Sequence, residues 1–187
     1  MATTTKQKTT SKALPELPTN AFMHEILEVV SKQRSNAKKV EALQKYDCLP
    51  LKTILIWNFD ETVISLLPPG EVPYGNLKED VTASGNLSDK IRASSQTKNS
   101  IAEESQRAKK TSIRKESSKF YNFVKGGNDS LSSIRREVMF INILEGLHPD
   151  EAEILVHVKD KTLSDLYKIS FDNVKDAYPD IQWGGRS

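Results

Sequence analysis

Residues 135–161, RREVMFINILEGLHPDEAEILVHVKDK, decide the fold. Apolar side chains recur at helical spacing up to Gly146, and Pro149 reopens the same periodicity three positions later. Glycine stops a helix because it enters the left-handed conformation without a Cβ clash, and proline opens one because a first-turn nitrogen has no intrahelical bond to lose. The segment is therefore expected to form an αα-hairpin with a short elbow. With Asn128 as its cap, the first helix is expected to bury a stripe of Leu131, Ile134, Val138, Ile141 and Leu144, widened by Met139, Phe140 and Ile143. In the second, Ala152, Leu155, Val156 and Val158 face inward, while Glu151, Glu153 and His157 face largely outward. A helical core of this kind, carrying no catalytic constellation, points to binding rather than chemistry.

The same rules extend outward. Residues 1–19, rich in Thr, Lys and Pro, hold too few large apolar side chains to offset the entropy of ordering and are expected to be a disordered tail. Asn20 is the expected cap of a helix with Phe22, Ile26, Val29 and Val30 on one face. After a polar break at SNAKK, a second helix turns Val40, Leu43 and Tyr46 inward. Pro50 opens a third, with Leu51, Ile54, Leu55 and Phe59 as its buried stripe. The prolines and glycines of ISLLPPGEVPYGN then impose an extended connector.

Residues 76–99 have linker composition. Ser100 and Glu103 have capping-box spacing, and a helix from there is expected to run to about Lys125, ending at Gly126 and Gly127. A last helix follows Ser170 and closes at Pro179. The expected organisation is thus all-α and small, built from helical hairpins. A disordered tail (1–19) precedes an N-terminal helical part (20–75), a flexible linker (76–99), a C-terminal helical part (100–181) and a tail (182–187). KYDCLPLKTILIWNFDE and EGLHPDEAEILVHVKDK share a faint rhythm of break, proline, helix and acidic residue, although they share little identity.

Composition narrows the function classes. The 187 residues suffice to bury a core without covalent staples. A single cysteine, Cys48, permits neither an intrachain disulfide nor a cysteine cluster and fits a half-buried position beside a helix start. No apolar run approaches the ~20 residues of a membrane span, and the N-terminus lacks a hydrophobic signal segment, so neither membrane insertion nor export is expected. Charge is unevenly placed. Residues 90–119 hold nine basic and three acidic side chains, net +6, which leaves −4 for the rest of a chain whose formal charge is +2.

His24, His148 and His157 are the only imidazoles, and none has the spacing of a known zinc motif. Each is read as structural, His148 as an elbow cap or helix-end cation and His157 on a solvated face. No catalytic, cofactor-binding or metal-ligating residue is assigned. GGN at 126–128 lacks the lysine and strand of a phosphate loop and is a turn. Within the basic segment, Arg107, Lys109, Lys110, Arg114 and Lys115 are candidate phosphate contacts, without the aromatic interleaving of a single-strand platform. The helical hairpin is a poor helix-turn-helix reader, because its second helix would bring Asp150, Glu151 and Glu153 against phosphates. Beyond Pro179, Ile181 and Trp183 form a candidate partner-docking peptide, with packing onto the helices as the alternative.

The segment KFYNFVKGGNDSLSSIRREVMFINILEGLHPDEAEILVHVKDKTLSDLYKIS, with AKKVEALQKYDCLPLKTIL and the LLPPGEVPY connector before it, resembles a family of proteins of large tailed bacteriophages, especially marine myoviruses. The resemblance covers most of residues 24–80 and 118–181. It implies a viral gene product made in a bacterial host and implies no mechanism, because the family has no established activity. The expected function is a non-enzymatic binding or adaptor protein in the cytoplasm of the infected cell, with phage or host proteins as partners and without a cofactor. The alternatives are an accessory nucleic-acid-binding protein using residues 90–119 and a minor virion component.

Overall fold

Orphan amides at helix starts and the side chains that accept from them set the boundaries of this fold. The computed structural model describes residues 13–72 and 111–186. Among them are α1 (Met23–Ser31), α2 (Asn36–Lys45), α3 (Leu49–Phe59), α4 (Ile113–Glu116), α5 (Ser133–Gly146), α6 (Pro149–Lys159), α7 (Leu163–Leu166) and α8 (Phe171–Ala177). A 3-10 helix, Ser117–Phe123, continues directly from α4. The described residues contain no strand, only one antiparallel bridge between Ser65 and Val124, and the all-α expectation holds. The linker 76–99, the capping box at Ser100 and Glu103, and Arg107, Lys109 and Lys110 lie outside the described residues.

Side-chain caps shift several starts from their expected positions. Ser132, rather than Asn128, accepts from the Arg135 amide and begins α5. Asn128 instead donates its side-chain amide to Asn122. Phe22, rather than Asn20, caps α1, and its amide donates to the Glu25 carboxylate. Ser35 caps α2, so SNAKK is the start of a helix more than a break. Ser170 caps α8 as expected, with Asn173 completing a reciprocal pair.

Both halves of the chain contribute to one core. α3 lies against α6 and α1 against α6, while α8 closes over α2. The expected Leu51, Ile54 and Leu55 are buried in it with Leu43, Ile26 and Val30. Two lysines on α6 and its end stitch the halves together. Lys159 Nζ donates to the carbonyls of Pro68 and Gly70, and Lys161 Nζ to those of Trp57 and Asp60. Residues 13–19, expected as part of a disordered tail, lie against α2: Lys45 pairs with Glu16 at 2.6 Å, and Leu14 and Leu17 are half-buried.

Three expectations are corrected. A continuous helix to Lys125 does not form; α4 gives way to the 3-10 helix. Three residues per turn align Phe120 directly with Phe123, and both rings enter the core beside Trp57. On α5 the buried face is Arg136, Phe140, Ile143 and Leu144, continuing to Leu147, while Ile134 is 74% and Val138 51% exposed. Arg136 explains the rotation. Its guanidinium reaches inward and donates to the carbonyls of Asn122, Asn128 and Leu131, holding the loop before α5. Glu151 and Glu153 are buried rather than outward-facing.

Asp60, the C-cap of α3, gathers the C-terminal residues. Its carboxylate accepts from the amide and hydroxyl of Thr62, the amide of Gly184 and the guanidinium of Arg186. Burial alone would raise its pKa, but the Thr62, Gly184 and Arg186 donors outweigh it and hold the carboxyl at about 2, below the ordinary 3.8. Asp60 is 2% exposed, so the charge is part of the folded state. A depressed pKa stabilises the fold above 3.8 and is lost as pH falls toward 2, a contribution of about 2 kcal/mol. Asp60→Asn is expected to lower stability at pH 7 by about that amount and to flatten the loss between pH 4 and 2. Urea melts of parent and variant across that range check it; an unchanged acid limb in the variant refutes the assignment.

Candidate functional site

Glu151 organises the junction of α1, α4 and α6. Its Oε2 accepts from the Met23 amide at 2.8 Å and its Oε1 from the Ile113 amide at 3.0 Å, so one carboxylate caps the first turns of α1 and α4. The side chain is fully buried. Burial pushes its carboxyl up to about 7, against the pull of those two amides and the positive charge of Arg114. Arg114 adds a second tie by donating Nε to the Ala21 carbonyl at 2.7 Å.

On the same junction two distant histidines meet. His24, the second residue of α1, stacks on His148, the N-cap of α6, with ring centroids 4.6 Å apart and planes inclined by 20°. Phe22 lies against both rings, at 5.4 and 5.3 Å. His148 Nδ1 accepts from the Asp150 amide at 3.2 Å, fulfilling the expected cap. Asp150 Oδ2 lies 3.9 Å from both His24 Nε2 and His148 Nδ1. The sequence hides this grouping, because the two imidazoles come from opposite ends of the chain. His157 is not part of it. It is half-buried and its Nδ1 meets the Thr162 hydroxyl at 2.9 Å, a helix-end contact rather than a solvated face.

A second feature follows from the rotation of α5. Ile134 and Val138, one turn apart, form an exposed apolar ridge, and Met139, Asn142 and Ile143 continue it into a groove of about 580 Å³. Thr111 and Glu116 form the opposite wall, tied together by a 2.7 Å hydrogen bond, and Arg135 lies at the rim. Lys119 at the same rim is paired with Glu116 at 2.8 Å.

Of the described residues that the sequence singles out as phosphate contacts or docking residues, Arg114 belongs to the junction and the others lie elsewhere. Arg114 is half-buried and engaged with Ala21, while Lys115 is exposed. Ile181 and Trp183 are both half-buried, and Trp183 meets Phe171 edge-on at 4.8 Å. No signal short of spatial proximity could have joined His24 to His148. The ridge of α5 reads in the sequence as apolar periodicity and hence as core.

A family model of unknown function matches residues 26–99 and 97–165. The chain belongs to this family, DUF6433. The family match takes in α5, α6, Glu151, His148 and Asp150, and begins two residues after His24. No curated protein and no solved structure matches the chain. Among the described residues no helix is long and apolar enough to cross a membrane.

Replacing the carboxylate at the junction tests its role. Glu151→Leu leaves the amides of Met23 and Ile113 buried without their acceptor, each costing about 1–3 kcal/mol. The expected result is a melting temperature lower by several degrees with the helical signal retained at low temperature, measured by calorimetry and circular dichroism. A variant that melts with the parent would show that the clamp does not hold the two helices.

Proposed function

We propose that this protein is a non-catalytic binding or adaptor module, made by a bacteriophage in the infected cell, which seats an amphipathic helical segment of a phage or host protein on α5. The observation that carries the reading is the exposed pair Ile134 and Val138 over a groove flanked by Met139. Side chains at i and i+4 on one helix form a ridge, and a partner helix receives such a ridge between its own. Large aliphatic side chains left in water beside a concave wall are the usual mark of a helix-in-groove contact.

Charge narrows the partner. Arg135 at the rim favours a segment with an acidic flank, since Lys119 is already neutralised by Glu116. The viral setting rests on the sequence resemblance described above. A minor virion component would use the same groove on a neighbouring structural protein.

Ile134→Lys with Val138→Lys tests the groove. Both positions face water, so the double variant is expected to keep the parent melting temperature within about one degree, as surface substitutions do. In crosslinked pull-downs from phage-infected cells the parent should retain a defined protein that the double variant loses, and the purified partner should reproduce the difference. Equal recovery by parent and variant would overturn the reading. So would a shift from dimer to monomer in the variant, which would make the ridge a contact between copies.

A further inference from the structure

The geometry points to a divalent transition-metal site in which His24 Nε2, His148 Nδ1 and Asp150 Oδ2 are the protein ligands and zinc is the cation they suit. This goes beyond the groove reading and does not depend on it. One ligand atom from each of the three residues lies within 4.8 Å of the others, and Asp150 Oδ2 is 3.9 Å from His24 Nε2 and from His148 Nδ1. At 3.9 Å neither imidazole is hydrogen-bonded to that oxygen. That spacing leaves room for a cation shared by the three side chains.

The donor types agree. Two imidazoles and one carboxylate form a common ligand set for zinc and related divalent ions, which leaves a further position for water or a partner's side chain. Zinc binds such ligands at about 2.0–2.2 Å, so neighbouring ligand atoms in a tetrahedron stand roughly 3.3 Å apart. Each carboxylate edge therefore closes by about half an ångström on loading, and the rings tilt out of their stack. The single lone pair of His148 Nδ1 accepts from the Asp150 amide at 3.2 Å, so loading exchanges that cap bond for the metal. Phe22, packed on both rings, limits how far they turn.

Electrostatics also favour a cation. The first turns of α1 and α6 place positive dipole ends here, which alone would repel one. Against them stand Asp150 and the buried Glu153 on α6. The same carboxylates act on a neighbour. The Tyr167 hydroxyl is pushed up by burial first and then by Glu28, Asp150, Glu153 and Glu151. Access is from the solvent side, since the Asp150 side chain is 46% exposed and His148 a third, while His24 forms the floor.

The test uses the full chain, treated with chelator and then titrated with zinc by calorimetry, with cobalt(II) as a spectroscopic probe. One equivalent is expected to bind, with a visible ligand-field band for cobalt and a higher melting temperature in zinc. His148→Gln and Asp150→Asn, both partly exposed, are expected to weaken zinc binding by about a hundredfold while keeping the parent's helical signal in chelator. His157→Gln, engaged with Thr162, should bind zinc as the parent does, and so should the Ile134 and Val138 double variant. If His24→Gln fails to fold, the two exposed-ligand variants still decide the matter. No saturable binding by the parent overturns the site, as does unchanged binding by either ligand variant, or an equal loss on His157→Gln. The stacked pair would then be a helix cap only.

Discussion

A single buried carboxylate, Glu151, holds this fold together at its most demanding point. Two helices begin at the same place from segments that are far apart in the chain, and each brings a first-turn amide that must be satisfied out of water. Glu151 accepts both, from Met23 across 128 positions and from Ile113 across 38. Burying a carboxyl is costly, and its raised pKa reflects that cost. The amides offset part of it, and the Arg114 bond to Ala21 fixes the same two segments independently. Because one side chain serves α1, α4 and α6 together, neither half of the chain completes this junction alone.

The contact between α3 and α6 follows the same logic at the other helix ends. Both helices have eleven residues, carry proline in the first turn and end at an aspartate followed two positions later by threonine. At α3, Asp60 receives Thr62 and the C-terminal residues; at α6, Asp160 receives the Gly70 amide and the Lys159 amine. Lys161, with φ of 59°, then turns its amine back onto the last carbonyls of α3. Each helix end is thus finished by groups from the other half, so the connector after α3 and the turn after α6 are fixed by one set of bonds. The faint sequence rhythm between residues 45–61 and 145–161 has a counterpart in these two ends.

Much of this was legible in the sequence. Gly146 and Pro149 gave the hairpin, Pro50 gave α3, and Ser170 gave α8, because these signals act through local backbone chemistry. What was misread depended on groups that apolar periodicity does not register. Arg136 turns its charged side chain inward to three loop carbonyls, and that rotates α5 so that Ile134 and Val138 face out. An acidic side chain reads as outward-facing, whereas the amides that Glu151 serves come from other segments. The 3-10 helix is not legible in the sequence because the Phe120 and Phe123 spacing fits a helical turn of either kind. The histidine grouping is not legible for a simpler reason: spacing along the chain records only local neighbours, and His24 and His148 meet only in space.

The histidine cluster and the groove share a foundation. Through Met23, Glu151 fixes the first turn of α1, which carries His24 one residue later; as the neighbour of Asp150 on α6, it also fixes the relation of that carboxylate to the imidazoles. Through Ile113 it fixes α4, whose Glu116 and preceding Thr111 form the wall opposite Ile134 and Val138. Thr111 also donates its amide to the Gly146 carbonyl at the end of α5, which sets the depth of the groove from the helix that lines it. The histidine cluster and the groove are therefore built on one rigid junction rather than on loops.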